Sequence, residues 1–182
     1  MLLLSPHIDT VRPLELEFNG THSGLLDNWL GVMATYLAIY RTPSILKLIH
    51  EGKVGVFHSK HEEFGLDDLP NKGIDLAIVV DVCSGKRYEG VDIALENIST
   101  PGRDFVTPLK GFLKWEGYKV ITKKYTGEDE DADESWTWIE KGVPTFTCIL
   151  PVDGDYHQNT TCPSERVDRF AQALARVVCY CL

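Results

Sequence analysis

His7, Asp9, Asp27, Glu62, Glu63, Asp81 and His157 are the imidazoles and carboxylates whose types and placement could do chemistry. Two imidazoles and three carboxylates are enough to hold two divalent metal ions when one carboxylate is shared. Such mixed donors suit zinc, and also cobalt or manganese. The adjacent pair Glu62 and Glu63 sharpens the point. It follows the apolar run Val54, Gly55, Val56 and Phe57. Like charges that close raise each other's pKa and cost stability unless positive charge is near. Two divalent ions supply four positive charges, and one of the two acids can then stay off the metal to act on a substrate.

Each piece alone has an ordinary reading. An aspartate at a helix start, such as Asp27, is normally a cap. Adjacent glutamates usually mark a solvated face, and a histidine in a polar loop, such as His157, says little. The signal is their order together with the elements that carry them. Leu2 to Leu4 reads as a short buried strand that delivers His7 and Asp9 at its end. Lys53 to His58 reads as a strand leading to the acid pair. Ile74 to Val82 is the strongest buried-strand signal, with Asp81 at its C-terminal end. The C-terminal edge of the strands is where α/β sheets place their sites.

Between these strands the pattern turns helical. Apolar residues at helical spacing predict a helix over Asn28 to Tyr40 with Asp27 at its start. Further helices are predicted over Ser44 to Glu51, Thr107 to Glu116, Trp136 to Lys141 and Ser164 to Cys181. Further strands are predicted over Tyr88 to Ile98, Lys119 to Tyr125 and Val143 to Leu150, and Leu14 to Phe18 as an edge strand. Strands alternating with helices imply an α/β three-layer sandwich with a mixed, mostly parallel central sheet.

The bulk numbers bound the reading. The 182 residues, 43% of them hydrophobic, suit one compact domain spanning residues 1–182. A net charge of -9 argues against nucleic acid or an anionic membrane as main partner. The five cysteines, an odd number at irregular spacing, read as buried free thiols rather than a disulfide framework. The apolar start at Met1 to Leu4 is too short for a signal peptide or a membrane span, so a cytoplasmic protein is expected.

The stretches SPHIDTV, LLDNWLGV, HEEFGL, DVC and YHQNTTCPSERVD resemble the successive metal motifs of the dinuclear zinc exopeptidases. That superfamily includes leucyl-type and glutamyl aminopeptidases and the carboxypeptidase and desuccinylase enzymes. The resemblance runs from His7 to about Arg169, without a lid or dimerisation insertion. It implies that His7 and Asp81 bind one of two zinc ions, that Asp27 bridges both, and that Glu63 and His157 bind the second. It makes Glu62 the general base, and Asp9 the acceptor of the other ring proton of His7. The same resemblance implies that Asn28 orients the bridging carboxylate, that Tyr125 helps hold the oxyanion, and that Asp133 stands where relatives carry an acid. His58 and His61 receive no ligand role.

The activity implied is hydrolysis of a terminal amide bond, with a peptide or N-acyl amino acid as substrate. An aminopeptidase is the leading reading. A deacylase or desuccinylase-type amidohydrolase, or a non-catalytic relative of the same fold, is the alternative. Association into a homo-oligomer is compatible with either.

Overall fold

The computed structural model describes residues 1–7, 28–58, 73–124, 135–153 and 162–182. Six strands form one sheet: β1 (Leu2–Pro6), β2 (Val54–Val56), β3 (Leu76–Ser84), β4 (Ile93–Ile98), β5 (Val120–Lys124) and β6 (Thr145–Val152). Their order across the sheet is β2-β1-β3-β6-β4-β5. Every neighbouring pair is parallel except β4 with β6. Parallel strands covered on both faces need near-continuous apolar sequence, and the first seven residues of β3 are all buried.

The helices are α1 (Trp29–Tyr40), α2 (Pro43–His50), α3 (Arg103–Trp115), α4 (Ser135–Glu140) and α5 (Ser164–Tyr180). Leu2, Leu4, Ile78, Val80 and Leu150 on one sheet face share the main core with α1, α2, α3 and α5. Leu3, Ala77 and Val79 on the opposite face pack against the fully buried Trp138 of α4. The result is the expected α/β architecture, with a mixed, mostly parallel sheet between helical layers. The expected strand over Leu14 to Phe18 lies outside the described residues.

Two boundaries differ from expectation. Tyr88 is not a strand residue; it ends a one-turn 3-10 helix, Lys86–Tyr88, and β4 begins at Ile93. Helix α3 begins at Arg103, a turn before Thr107, because Gly102 can approach the neighbouring chain closely and start it there. A Cβ on Gly102 would lie 2.3 Å from the Thr145 carbonyl oxygen. The five thiols are all free, as expected, but only Cys148 is buried; Cys83, Cys162 and Cys181 are partly exposed and Cys179 is exposed.

Ser99 fixes this corner. Its Oγ accepts hydrogen bonds from the Gly102 N–H at 3.0 Å and the Thr145 N–H at 2.9 Å. Ser99 is buried, so alanine there would strand two buried donors, each worth about 1–3 kcal/mol. Ser99→Ala is expected to lose about 2 kcal/mol, or roughly 4–8 °C in Tm for a chain of this size. A thermal melt within about 1 °C of the parent would show that water replaces both bonds.

Candidate active site

Side chains alternate along a strand, so Ser5 and His7 follow Leu3 onto the α4 side of the sheet, and Asp81 follows Val79. Strands β1 and β3 are parallel neighbours, with Ser5 opposite Val79 and Pro6 opposite Val80. His7 and Asp81 are therefore brought to the same edge, at the C-terminal ends of adjacent central strands. Both are buried, at 0% and 7% exposure. His7 Nε2 lies 3.3 Å from Asp81 Oδ1. That oxygen also accepts the Val82 backbone N–H at 2.7 Å, which fixes the carboxylate's direction.

The 3.3 Å separation bears on what the pair can hold. An N–H···O hydrogen bond is roughly 2.7–3.2 Å long, so the pair sits at its long limit. Two donors about 2.0–2.2 Å from one tetrahedral zinc are about 3.3–3.5 Å apart. The observed distance fits either a long hydrogen bond between the two side chains or the edge of a shared zinc site, and an imidazole with a carboxylate is a zinc donor set. Among the described residues no group of three or more histidine, cysteine, aspartate or glutamate side chains comes together in the manner of a metal site. Asp9, Asp27, Glu62, Glu63, Tyr125, Asp133 and His157 lie outside the described residues, so their expected roles have no geometry here.

Helix α1 is anchored beside this pair. Asn28 takes the N-cap position but makes no capping bond. Its Nδ2 instead donates to the carbonyl of Val80 at 2.5 Å, the residue before Asp81. Its Oδ1 is buried and has no hydrogen-bond partner among the described residues. At the end of β2, Tyr36 and His58 pair at 2.9 Å through the phenol oxygen and Nε2. The acids Glu62 and Glu63 follow His58 closely in sequence.

A second polar cluster lies on the same face of the sheet, around β4, and sequence reasoning missed it. Glu96 of β4 is buried. Its Oε2 accepts from Arg87 Nη2 at 3.0 Å and from the Tyr88 hydroxyl at 3.1 Å. Arg87 also stacks over the Tyr88 ring at 4.6 Å. Burial pushes the Tyr88 hydroxyl well above the usual phenol range, so it stays a donor at neutral pH. Beyond it a cleft of roughly 160 Å³ is lined by Gly85, Lys86, Tyr88, Glu89, Val152 and Asp153. That is below the roughly 300–1,000 Å³ of a whole small-molecule site.

Burial holds Cys83, Cys148, Cys162 and Cys181 in the protonated form. Burial raises Cys83, two residues beyond Asp81, and the nearby Asp81 charge raises it further, although Tyr88 and Arg87 oppose the shift. Burial raises Cys148 well above its ordinary value and pushes Cys181 up to about 12. The nucleophile is the thiolate, so these groups are inert at neutral pH.

No family model matches the sequence, and no curated protein matches it. Solved structures match the fold. The dodecameric PhTET1 assembly superposes at a TM-score of 0.60 with 16% identity, covering 90% of this chain and 52% of that one. A TET aminopeptidase from a marine sediment Thaumarchaeota archaeon gives 0.55 and 12%, covering 84% and 47%. The N-acetylmuramoyl-L-alanine amidase AmiC2 of Nostoc punctiforme gives 0.54 and 9%, covering 98% and 95%. The chain thus spans about half the length of these peptidases and nearly all of the amidase. Among the described residues no helix is long and apolar enough to cross a membrane.

Proposed function

We propose that this chain is a metal-dependent exopeptidase of the dinuclear zinc type, acting on a free peptide N-terminus. The observation that carries the reading is the buried His7–Asp81 pair, 3.3 Å apart at the ends of adjacent parallel strands. The shared fold with TET aminopeptidases supports it, as does the ordered set of sequence motifs.

In this reading His7 and Asp81 would hold one ion, Glu63 and His157 the other, and Asp27 would be shared by both, with Asp9 fixing the tautomer of His7. A bound metal pair supplies an acidified water and positive charge for a developing oxyanion. Glu62 takes the water's proton and later gives it to the leaving amine. Asn28 ties the start of α1 to β3, so the residue before it in sequence, Asp27, and the residue after Val80, Asp81, are held to one framework. Tyr125 and Asp133 serve the oxyanion and the substrate. An amidohydrolase acting on N-acyl amino acids is the second reading, favoured by the near full-length match to an amidase fold.

The test is the zinc content of the purified chain after metal loading and desalting, followed by hydrolysis of aminoacyl-amide and N-acyl amino acid panels. Two zinc ions per chain and turnover of free-amine substrates are expected. Turnover of N-acyl substrates alone selects the second reading. A chain that retains no metal and hydrolyses neither panel overturns both.

A further inference from the structure

Strand β4 carries three features that a sheet does not need for itself. Leu95 pairs with Thr122 of β5 and Ile98 with Lys124, so β4 uses one residue more than its partner over this stretch. The extra residue makes a bulge at Glu96 and Asn97. Asn97 has a φ of 46°, in the left-handed region, and no other non-glycine residue among the described ones does so. Glu96 places a carboxylate inside the fold at 4% exposure. A left-handed non-glycine residue and a buried acid each cost stability, and bulges recur beside active sites, where they re-aim a side chain.

What Glu96 holds is the turn that follows the Asp81 strand. Arg87 and Tyr88 belong to the one-turn helix directly after β3, and both donate to Glu96 Oε2. Arg87 also donates to the Tyr88 hydroxyl, so the three side chains close a triangle. The same turn gives Gly85, Lys86, Tyr88 and Glu89 to the cleft, and β6 gives Val152. Ser84 pairs with Val152, so the cleft lies at the end of β3, about 10 Å along the strand from Asp81. Its roughly 160 Å³ suits one side chain rather than a whole ligand.

We propose that Glu96 is a positioning residue: through Arg87 and Tyr88 it locks the Gly85–Glu89 turn as a fixed wall for a substrate side chain beside the His7–Asp81 pair. The proposal rests on the exopeptidase reading of that pair and goes beyond it, because Glu96 acts on neither the metal nor the reacting bond. A single 3-10 turn is a weak element by itself. Its backbone bonds run from the Tyr88 N–H to the Gly85 carbonyl at 2.9 Å and from the Glu89 N–H to the Lys86 carbonyl at 3.3 Å. It hinges on Gly85, whose φ of 119° favours glycine. The buried carboxylate supplies the rigidity that the turn lacks. A wall ordered before binding loses little entropy when a ligand meets it. Glu96 therefore governs how tightly substrates bind, and its effect falls on KM more than on kcat.

Amide hydrogen exchange of the full chain, parent against Glu96→Gln, tests the lock without any need for turnover. The Tyr88, Glu89 and Val91 amides should exchange about 10–100-fold faster, the factor that charged hydrogen bonds carry. The Ile78 and Val80 amides should keep their rates, and zinc per chain should stay at the parent value. Tyr88→Phe, which leaves Glu96 in place and removes one of its donors, should loosen the same amides. Free leucine, glutamate and lysine, as apolar, acidic and basic exopeptidase products, then probe the wall by NMR titration. At least one should shift the Lys86 and Glu89 amides and bind Glu96→Gln about tenfold more weakly. Turn amides that keep the parent rate in both variants overturn the lock. Faster exchange throughout β3 and β6 with loss of zinc shows a purely structural acid and overturns it as well. A loosened turn that none of the three amino acids perturbs overturns the link to substrate. A chain that shows the local loosening and the amino-acid shifts yet holds no zinc refutes the metal-dependent reading and leaves the lock standing.

Discussion

Asp81→Ala is expected to lose zinc and turnover together. If His7 and Asp81 hold one ion between them, removing the carboxylate deletes a direct ligand. Partners one step further from a metal already carry about 10–100-fold in affinity, so the loss should be at least that large. Glu62→Gln should behave differently. It keeps the side chain's size and removes its basicity, so turnover should fall by about 10²–10⁴-fold while zinc per chain stays at the parent value. The contrast separates a ligand from a base, and neither substitution alone makes that distinction. Asp81 is nearly buried and faces His7, so a folding check by circular dichroism accompanies the metal assay. A folded Asp81→Ala protein that keeps both zinc ions would sink the assignment of Asp81 as a ligand. A Glu62→Gln protein with unchanged kcat would sink the base.

The sequence disclosed His7 and Asp81 because the physics that places them is local. A short apolar run must be a buried strand, its end reaches the sheet edge, and a polar residue there is on display. Pairing β1 with β3 in parallel then brings two such ends together. Glu96 was not legible for the opposite reason. In the run from Gly90 to Asn97 it alternates with apolar neighbours, which reads as a solvent-facing position. All six residues of β4 are in fact buried, and Arg87 and Tyr88 reach Glu96 from the preceding turn to compensate its burial. That is a tertiary fact with no local signature. The exposed stripe on α1 was hidden in the same way. Trp29, Met33, Tyr36 and Tyr40 fit the apolar spacing of a core helix, and only the assembled fold shows them partly exposed. The start of α3 depended likewise on how closely Gly102 can approach Thr145, which no propensity encodes.

Gly31→Ala should destabilise the protein, although alanine is the better helix former by about 1 kcal/mol. Gly31 lies in the first turn of α1, three residues after Asn28. A Cβ placed on it would lie 1.9 Å from Asn28 Oδ1 and 2.7 Å from its Cγ. Asn28 is fully buried, and its amide is committed to the Val80 carbonyl. To admit the methyl group the carboxamide has to swing away. That leaves a buried amide and a buried carbonyl unsatisfied, at about 1–3 kcal/mol each, on top of about 1–3 kcal/mol for crowding. The propensity gain is the smaller quantity, so a net loss of about 3 kcal/mol is expected, seen as a Tm lower by roughly 6–12 °C. A double-mutant cycle isolates the cause. In an Asn28→Ala background the obstructing side chain is gone, and Gly31→Ala should then be neutral or stabilising by up to about 1 kcal/mol. If Gly31→Ala is equally harmful with and without Asn28, the contact is not what requires glycine there. Because Asn28 holds α1 to the strand end that carries Asp81, the same substitution should also weaken zinc binding. Gly102→Ala, which meets a backbone oxygen at the far corner of the fold, should lower stability and leave zinc affinity alone.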